Sequence, residues 1–137
     1  MNYEEIKIGD SATISKTVTV HDVETFAGVT GDFNPLHINA EYAKNSRFKE
    51  RIAHGILTAG FISTVLGTKL PGEGGLYLGQ NLKFTAPVKF GDTVTAKATV
   101  TEKRDDKRIV KLHTVVTNQN GKTVIDGEAV MMIMEKK

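Results

Sequence analysis

The chain changes rhythm about halfway along. In the second half, alternate positions are apolar: Val94, Ala96, Ala98 and Val100 share one face of residues 93–103, and Thr95, Lys97, Thr99 and Thr101 share the other. Side chains on one face of a strand recur at every second position, so this run is predicted as a half-buried strand. Residues 108–117 alternate in the same way through Val110, Leu112, Thr114 and Val116. Residues 123–134 are apolar on both faces over much of their length, as in a central strand. Residues 77–84 form a further strand candidate. Between these runs lie Asp105-Asp106 and Asn120-Gly121. Asn-Gly between alternating segments is a strong signal for a tight hairpin, so the sheet is expected to be antiparallel.

The first half is mostly helical in period. Residues 11–20, rich in Thr and Val, read as one strand. Val23, Phe26, Ala27 and Thr30 then follow helical spacing and predict a helix ending near Gly31. Residues 31–39 are turn-rich. Pro35 disfavours helix at Asn34 but suits the first position of a new one, and the helix that follows carries Ala40, Tyr42 and Ala43. A long helix is predicted over residues 54–70. Leu57, Phe61 and Val65 lie one turn apart on one face, and Ala59, Gly60, Ser63 and Gly67 form a second face of small residues. A helix apolar nearly all round is expected to be buried. At about 1.5 Å per residue it would be about 25 Å long. The plan is α+β, one domain over residues 1–137: a long buried helix with a meandering antiparallel sheet.

Composition narrows the classes. A chain of 137 residues with 39% hydrophobic and 25% charged residues suits one globular domain. A net charge of +2 and no basic run argue against nucleic-acid binding. The apolar stretch over residues 52–70 is broken by His54, Lys69, hydroxyl side chains and glycines, so a buried helix is expected rather than a membrane span. The first residues carry no basic-then-apolar pattern, so no signal peptide is expected. The chain has no cysteine, which removes disulfides, thiolate nucleophiles and cysteine–zinc sites, and fits a reducing, cytoplasmic setting.

Four features could carry chemistry. Gly31-Asp32-Phe33-Asn34-Pro35-Leu36-His37 places a carboxylate, an amide and an imidazole on one short turn. A carboxylate and an imidazole suit general acid–base work, such as moving protons during addition of water to a double bond. The more ordinary reading of that spacing is that Asp32 caps the next helix and His37 lies on its first turn. His54-Gly55 opens the long helix, where free N–H groups and the helix dipole could hold an oxygen gaining negative charge. It could equally be a close-packed helix start with His54 packed at its end. Ser63 could meet a substrate, although a helical serine more often bonds the carbonyl four residues back. The four histidines, His21, His37, His54 and His113, show no paired spacing on a helix face, so no metal site is expected. His113 reads as a solvated strand residue and His21 as a helix-start residue. Gly72-Glu73-Gly74-Gly75 lacks the lysine of a phosphate loop and reads as a turn.

Taken together, Gly31-Asp32-Phe33-Asn34-Pro35-Leu36-His37 resembles the Asp-x-Asn-Pro-x-His signature of the MaoC-like, (R)-specific enoyl-CoA hydratases. Ala53-His54-Gly55-Ile56-Leu57 resembles the start of that family's central helix. Residues 77–84 and the turn Pro87-Val88-Lys89-Phe90-Gly91-Asp92 resemble its following strand and turn. The resemblance implies a hotdog fold, in which an antiparallel sheet wraps a long central helix, and a homodimer with active sites near the subunit interface. It implies reversible addition of water to a trans-2-enoyl-CoA giving an (R)-3-hydroxyacyl-CoA, with CoA as part of the substrate and no separate cofactor or metal. By position, Asp32 is the implied base that activates water and His37 the partner that positions water and handles the other proton. Asn34 would orient His37 or its loop, and the Gly55 N–H would donate to the thioester carbonyl. The acyl tail is expected along the small-residue face near Ser63 and Leu66. Related readings are a hotdog acyl-CoA thioesterase, a 3-hydroxyacyl-thioester dehydratase acting on acyl carrier protein, and a non-catalytic partner subunit. Fatty-acid metabolism and polyester (polyhydroxyalkanoate) synthesis both fit as settings.

Overall fold

The computed structural model describes residues 1–135. After a short 3-10 turn at Tyr3–Glu5 come β1 (Ser11–Thr17), α1 (Val20–Thr30), α2 (Pro35–Ile38), α3 (Ala40–Lys44), α4 (Gly55–Thr68), β2 (Gly75–Phe84), β3 (Thr93–Arg104), β4 (Ile109–Thr117) and β5 (Thr123–Ile133). The strands form one antiparallel sheet in the order β1-β3-β4-β5-β2. The alternating runs appear within a residue or two of their expected bounds, because each has a polar side that only one orientation can leave in water. Val94, Ala96, Ala98 and Val100 of β3 and Val110, Leu112, Thr114 and Val116 of β4 are all buried. β5, apolar along much of its length but with Asp126 and Glu128 exposed, lies between β4 and β2.

α4 lies against this inner face and contacts β1, β2, β3 and β4, the hotdog arrangement the resemblance implied. Its buried side chains are Thr58, Ile62, Val65 and Leu66. Ala96 and Ala98 of β3, a strand that α4 contacts, are small and buried, which lets helix and sheet approach closely. Burying side chains such as these stabilises by about 1.5–3 kcal/mol each, before the entropy of ordering them. The expectation of a helix buried on all sides is corrected. Gly60, Ser63 and Gly67 are exposed, Ile56 is 53% exposed, and Leu57 and Phe61 are half-buried. The chain covers one face of α4, and the small-residue face is left open.

Three connections hold the site-bearing loops to this framework. Thr19 and Asp22 form a capping box at the start of α1. The turn before β3 clasps the chain leading into α1: Gly91 N–H donates to Val18 C=O (2.8 Å) and Val18 N–H to Asp92 C=O (2.8 Å). Gly91 there has φ +90, the left-handed region that glycine reaches at little cost. Finally, the segment before α4 bonds to the same turn. Ala53 N–H donates to Val88 C=O (2.8 Å), and Ile52 forms a bridge with Lys89. No helix among the described residues is long and apolar enough to cross a membrane.

Candidate active site

α1 ends at Gly31, whose φ of +80 turns the chain sharply and whose N–H donates back to Ala27 C=O (2.8 Å). The next residues are held by short local bonds. Thr30 Oγ1 accepts from Asp32 N–H (3.1 Å), and Asp32 Oδ1 accepts from Asn34 N–H (3.3 Å). Asn34, not Asp32, caps α2: its Oδ1 accepts from Leu36 N–H (3.0 Å), with Pro35 at the first helical position. That corrects the capping role considered for Asp32. Asn34 C=O also accepts from His37 N–H (2.9 Å), so Asn34 sets where the His37 backbone sits.

His37 Nδ1 donates to Ile52 C=O (2.8 Å). A carbonyl oxygen can only accept, so the proton is on Nδ1, and the neutral ring presents a lone pair at Nε2. Arg51 reinforces the arrangement, donating from Nε to His37 C=O (2.7 Å) and pairing with Glu24 at 3.4 Å. Burial holds the His37 imidazolium below its ordinary acidity constant of 6.5. The Ile52 carbonyl and the Asp32 charge oppose that shift, and His54 adds to it.

His54 is 2% exposed and precedes the first residue of α4. Its Nε2 donates to the main-chain carbonyl of Asp32 (3.0 Å), and its ring stacks on His37 with centroids 4.0 Å apart. Phe26 flanks it at 4.7 Å. A carboxylate oxygen of Asp32 and one ring nitrogen each of His37 and His54 lie within 4.8 Å of one another. Paired spacing on one helix cannot show this cluster, because His54 comes from a segment 17 positions beyond His37. Of the three, His54 has its Nε2 engaged and its Nδ1 sealed from solvent. Asp32 and His37 are therefore the two groups free to face a ligand, spaced so that one water could accept or donate to both.

His37 and Gly55 line one cavity of about 550 Å³. Its other walls are largely apolar, with Ile52, Val88, Val124 and Phe84 among them. No side chain caps α4. Among the described residues nothing accepts the N–H groups of Gly55, Ile56 and Leu57, so the positive end of the helix dipole is open beside His37. A Cβ on Gly55 would stand 2.7 Å from the Phe84 ring, so the close approach needs glycine. Ser63 is exposed and lines a different groove, between α4 and β2, with Gly60 and Leu82. Its hydroxyl makes no bond to the carbonyl four residues back, unlike Thr64 and Thr68. Leu66 is fully buried in the core and lines none of these cavities, which corrects the expectation of one surface shared by Ser63 and Leu66. His113 is exposed and paired with Asp126 (2.7 Å), and His21 is exposed near the start of α1.

A hotdog fold carrying an Asp–His pair beside an open helix end defines the class, and the comparisons agree. The model for the MaoC like domain matches residues 5–122, and the chain belongs to that family. It is 53% identical over 131 residues to an (R)-specific enoyl-CoA hydratase of Rhodospirillum rubrum, covering 96% of this chain and 90% of the relative. Among solved structures, the unliganded R-hydratase from Pseudomonas aeruginosa superposes with a TM-score of 0.93 at 46% identity, covering 98% of this chain and 86% of that one. The (R)-hydratase from Aeromonas caviae, described as involved in PHA biosynthesis, gives 0.92 at 42% identity, covering 95% and 98%.

Gly55→Ala tests the open helix end. The variant is expected to fold, because only the 54%-exposed Phe84 ring must turn aside. The methyl and the displaced ring intrude on the cavity shared with His37, so kcat/KM is expected to drop by about tenfold or more. Steady-state kinetics beside a thermal melt check this.

Proposed function

We propose that the chain catalyses reversible hydration of trans-2-enoyl-CoA to (R)-3-hydroxyacyl-CoA. The observation that carries this reading is the pairing of the Asp32 carboxylate with a His37 ring whose Nδ1 is tied to Ile52, next to an uncapped helix end. The relatives named (R)-specific enoyl-CoA hydratase support the substrate and the stereochemistry.

Hydration puts a hydroxyl on carbon 3 and a proton on carbon 2. The thioester oxygen gains negative charge as water attacks, and the free N–H of Gly55, with the α4 dipole behind it, stabilises that charge. Removing one such donor typically costs about 10²–10³ in rate. Asp32, as the anion, takes one proton from the attacking water. His37 Nε2, as an acceptor, holds the other water hydrogen and fixes the direction of attack. The proton gained by Asp32 is then given to carbon 2, so one water is consumed and the pair returns to its starting state. Both new bonds form on the face that the pair covers, which makes the addition syn. Run backwards, the same steps dehydrate the hydroxyacyl thioester. Neither step needs a cofactor beyond the CoA that is part of the substrate. The largely apolar cavity shared by His37 and Gly55 takes the substrate's apolar part beside the reacting carbons. Asn34 acts by holding His37, and the open groove at Ser63 is the remaining candidate for acyl-chain contact.

We further infer a homodimer, acting in the cytoplasm. β2 is an edge strand with Leu76, Tyr77 and Leu78 exposed in a row, and the open face of α4 lies beside it. An uncovered apolar edge of that kind is a liability in a lone chain. Pairing of β2 with a second copy would cover both features.

The assay follows the conjugated absorbance of an enoyl thioester. The wild-type chain is expected to consume it without releasing thiol, and Asp32→Asn and His37→Ala each to lose at least about 10²-fold in kcat while remaining folded. Thiol release, or a folded Asp32→Asn variant with near-normal turnover, would contradict the mechanism. Activity requires neutral His37, whose folded-state constant lies below 6.5. The kcat/KM profile is therefore expected to be level through about pH 7–8 and to fall only on the acid side of 6.5. Sedimentation equilibrium should give twice the chain mass, and Leu78→Lys should shift it to the monomer.

A further inference from the structure

A buried imidazole is a costly way to fill space. His54 has the volume of an aromatic packing residue and is flanked by Phe26 and His37 rings, yet its Nδ1 has no partner within the described chain. A phenylalanine would occupy the same position without burying an unpaired nitrogen. What the imidazole provides that phenylalanine cannot is one directed bond, from Nε2 to the Asp32 carbonyl (3.0 Å). That bond crosses 22 positions of sequence, and it is the sole described bond from outside the turn to the main chain of Asp32. The other bonds that hold Asp32 come from Thr30 and Asn34, inside an exposed turn.

We propose that His54 is a positioning residue for the hydration inferred above, on which this inference rests. Its Nε2–H anchors the main chain of Asp32, and its ring backs the ring of His37 at 4.0 Å. One side chain thereby sets the spacing between the carboxylate that takes the water's proton and the nitrogen that holds the water. His54 is 2% exposed and is not among the residues lining the cavity that His37 and Gly55 share. Its effect belongs to kcat. A pair displaced by a fraction of an ångström still binds the thioester but no longer brackets the water.

Two substitutions separate the anchor from the packing. His54→Phe keeps an aromatic ring in the stack and removes the donor. His54→Gln keeps an amide N–H able to reach the Asp32 carbonyl and removes the ring. His54→Phe is expected to stay folded with a melting temperature near that of wild type, because it removes the unpaired Nδ1 and in exchange leaves the Asp32 carbonyl without its partner. Its kcat should fall by about 30-fold or more with KM within about threefold. His54→Gln should recover about tenfold of that loss, since it restores the bond.

The proposal is overturned if folded His54→Phe keeps kcat within about threefold of wild type, if its defect lies in KM alone, or if His54→Gln is no better than His54→Phe. A wild-type chain inactive on enoyl thioesters would instead sink the functional reading. Measuring wild type, Asp32→Asn and both His54 variants together keeps the two failures apart.

Discussion

The bond that His37 Nδ1 donates to the Ile52 carbonyl ties the turn after α1 to the segment that runs into α4. Much of the site follows from it. It places the proton on one ring nitrogen and leaves the other as an acceptor, so His37 faces the cavity as a neutral acceptor. It also requires residues 51–54 to run beside the turn, which puts His54 against Asp32 and starts α4 at Gly55 within the same cavity wall. The segment is held in turn by Val88 and Lys89, and their turn clasps the start of α1 through Val18. The loop bearing Asp32 and His37 and the open start of α4 are thus parts of one hydrogen-bonded unit.

The site departs from rules the rest of the chain obeys. α1, α2 and α3 each begin with a side chain that accepts a first-turn N–H, and α4 does not. The missing cap costs stability of about 1 kcal/mol and leaves the first-turn N–H groups of α4 without acceptors among the described residues. The half-covered α4 and the exposed apolar edge at β2 are a second departure, and both suit a chain that meets a copy of itself. Departures of this sort gather where function sets the requirement.

The strands were legible because alternation has one structural solution once a face is buried: β3, β4 and β5 fall close to the expected bounds. The Asp32, Asn34 and His37 turn was legible as a motif, and its chemistry came into view through the family resemblance. Three things were not legible. The burial of α4 was overestimated, since apolar composition says that a face can be covered, not by which chain. Leu66 was assigned to the tail because helical spacing groups neighbours on a wheel, whereas the sheet decides which of them face the core. The part played by His54 depends on the carbonyl of residue 32 arriving beside a ring 22 positions later, and no local pattern encodes that meeting. The single cue was a histidine standing where a helix-capping Ser, Thr, Asp or Asn is usual.

The central claim is that a main-chain carbonyl fixes the His37 tautomer and so makes the ring an acceptor toward water. Nitrogen-15 NMR of the imidazole in the folded wild-type chain at neutral pH reads this directly. The account predicts a protonated Nδ1 and an unprotonated, pyridine-like Nε2 on His37. A proton on Nε2, whether in the opposite tautomer or in an imidazolium, would contradict it.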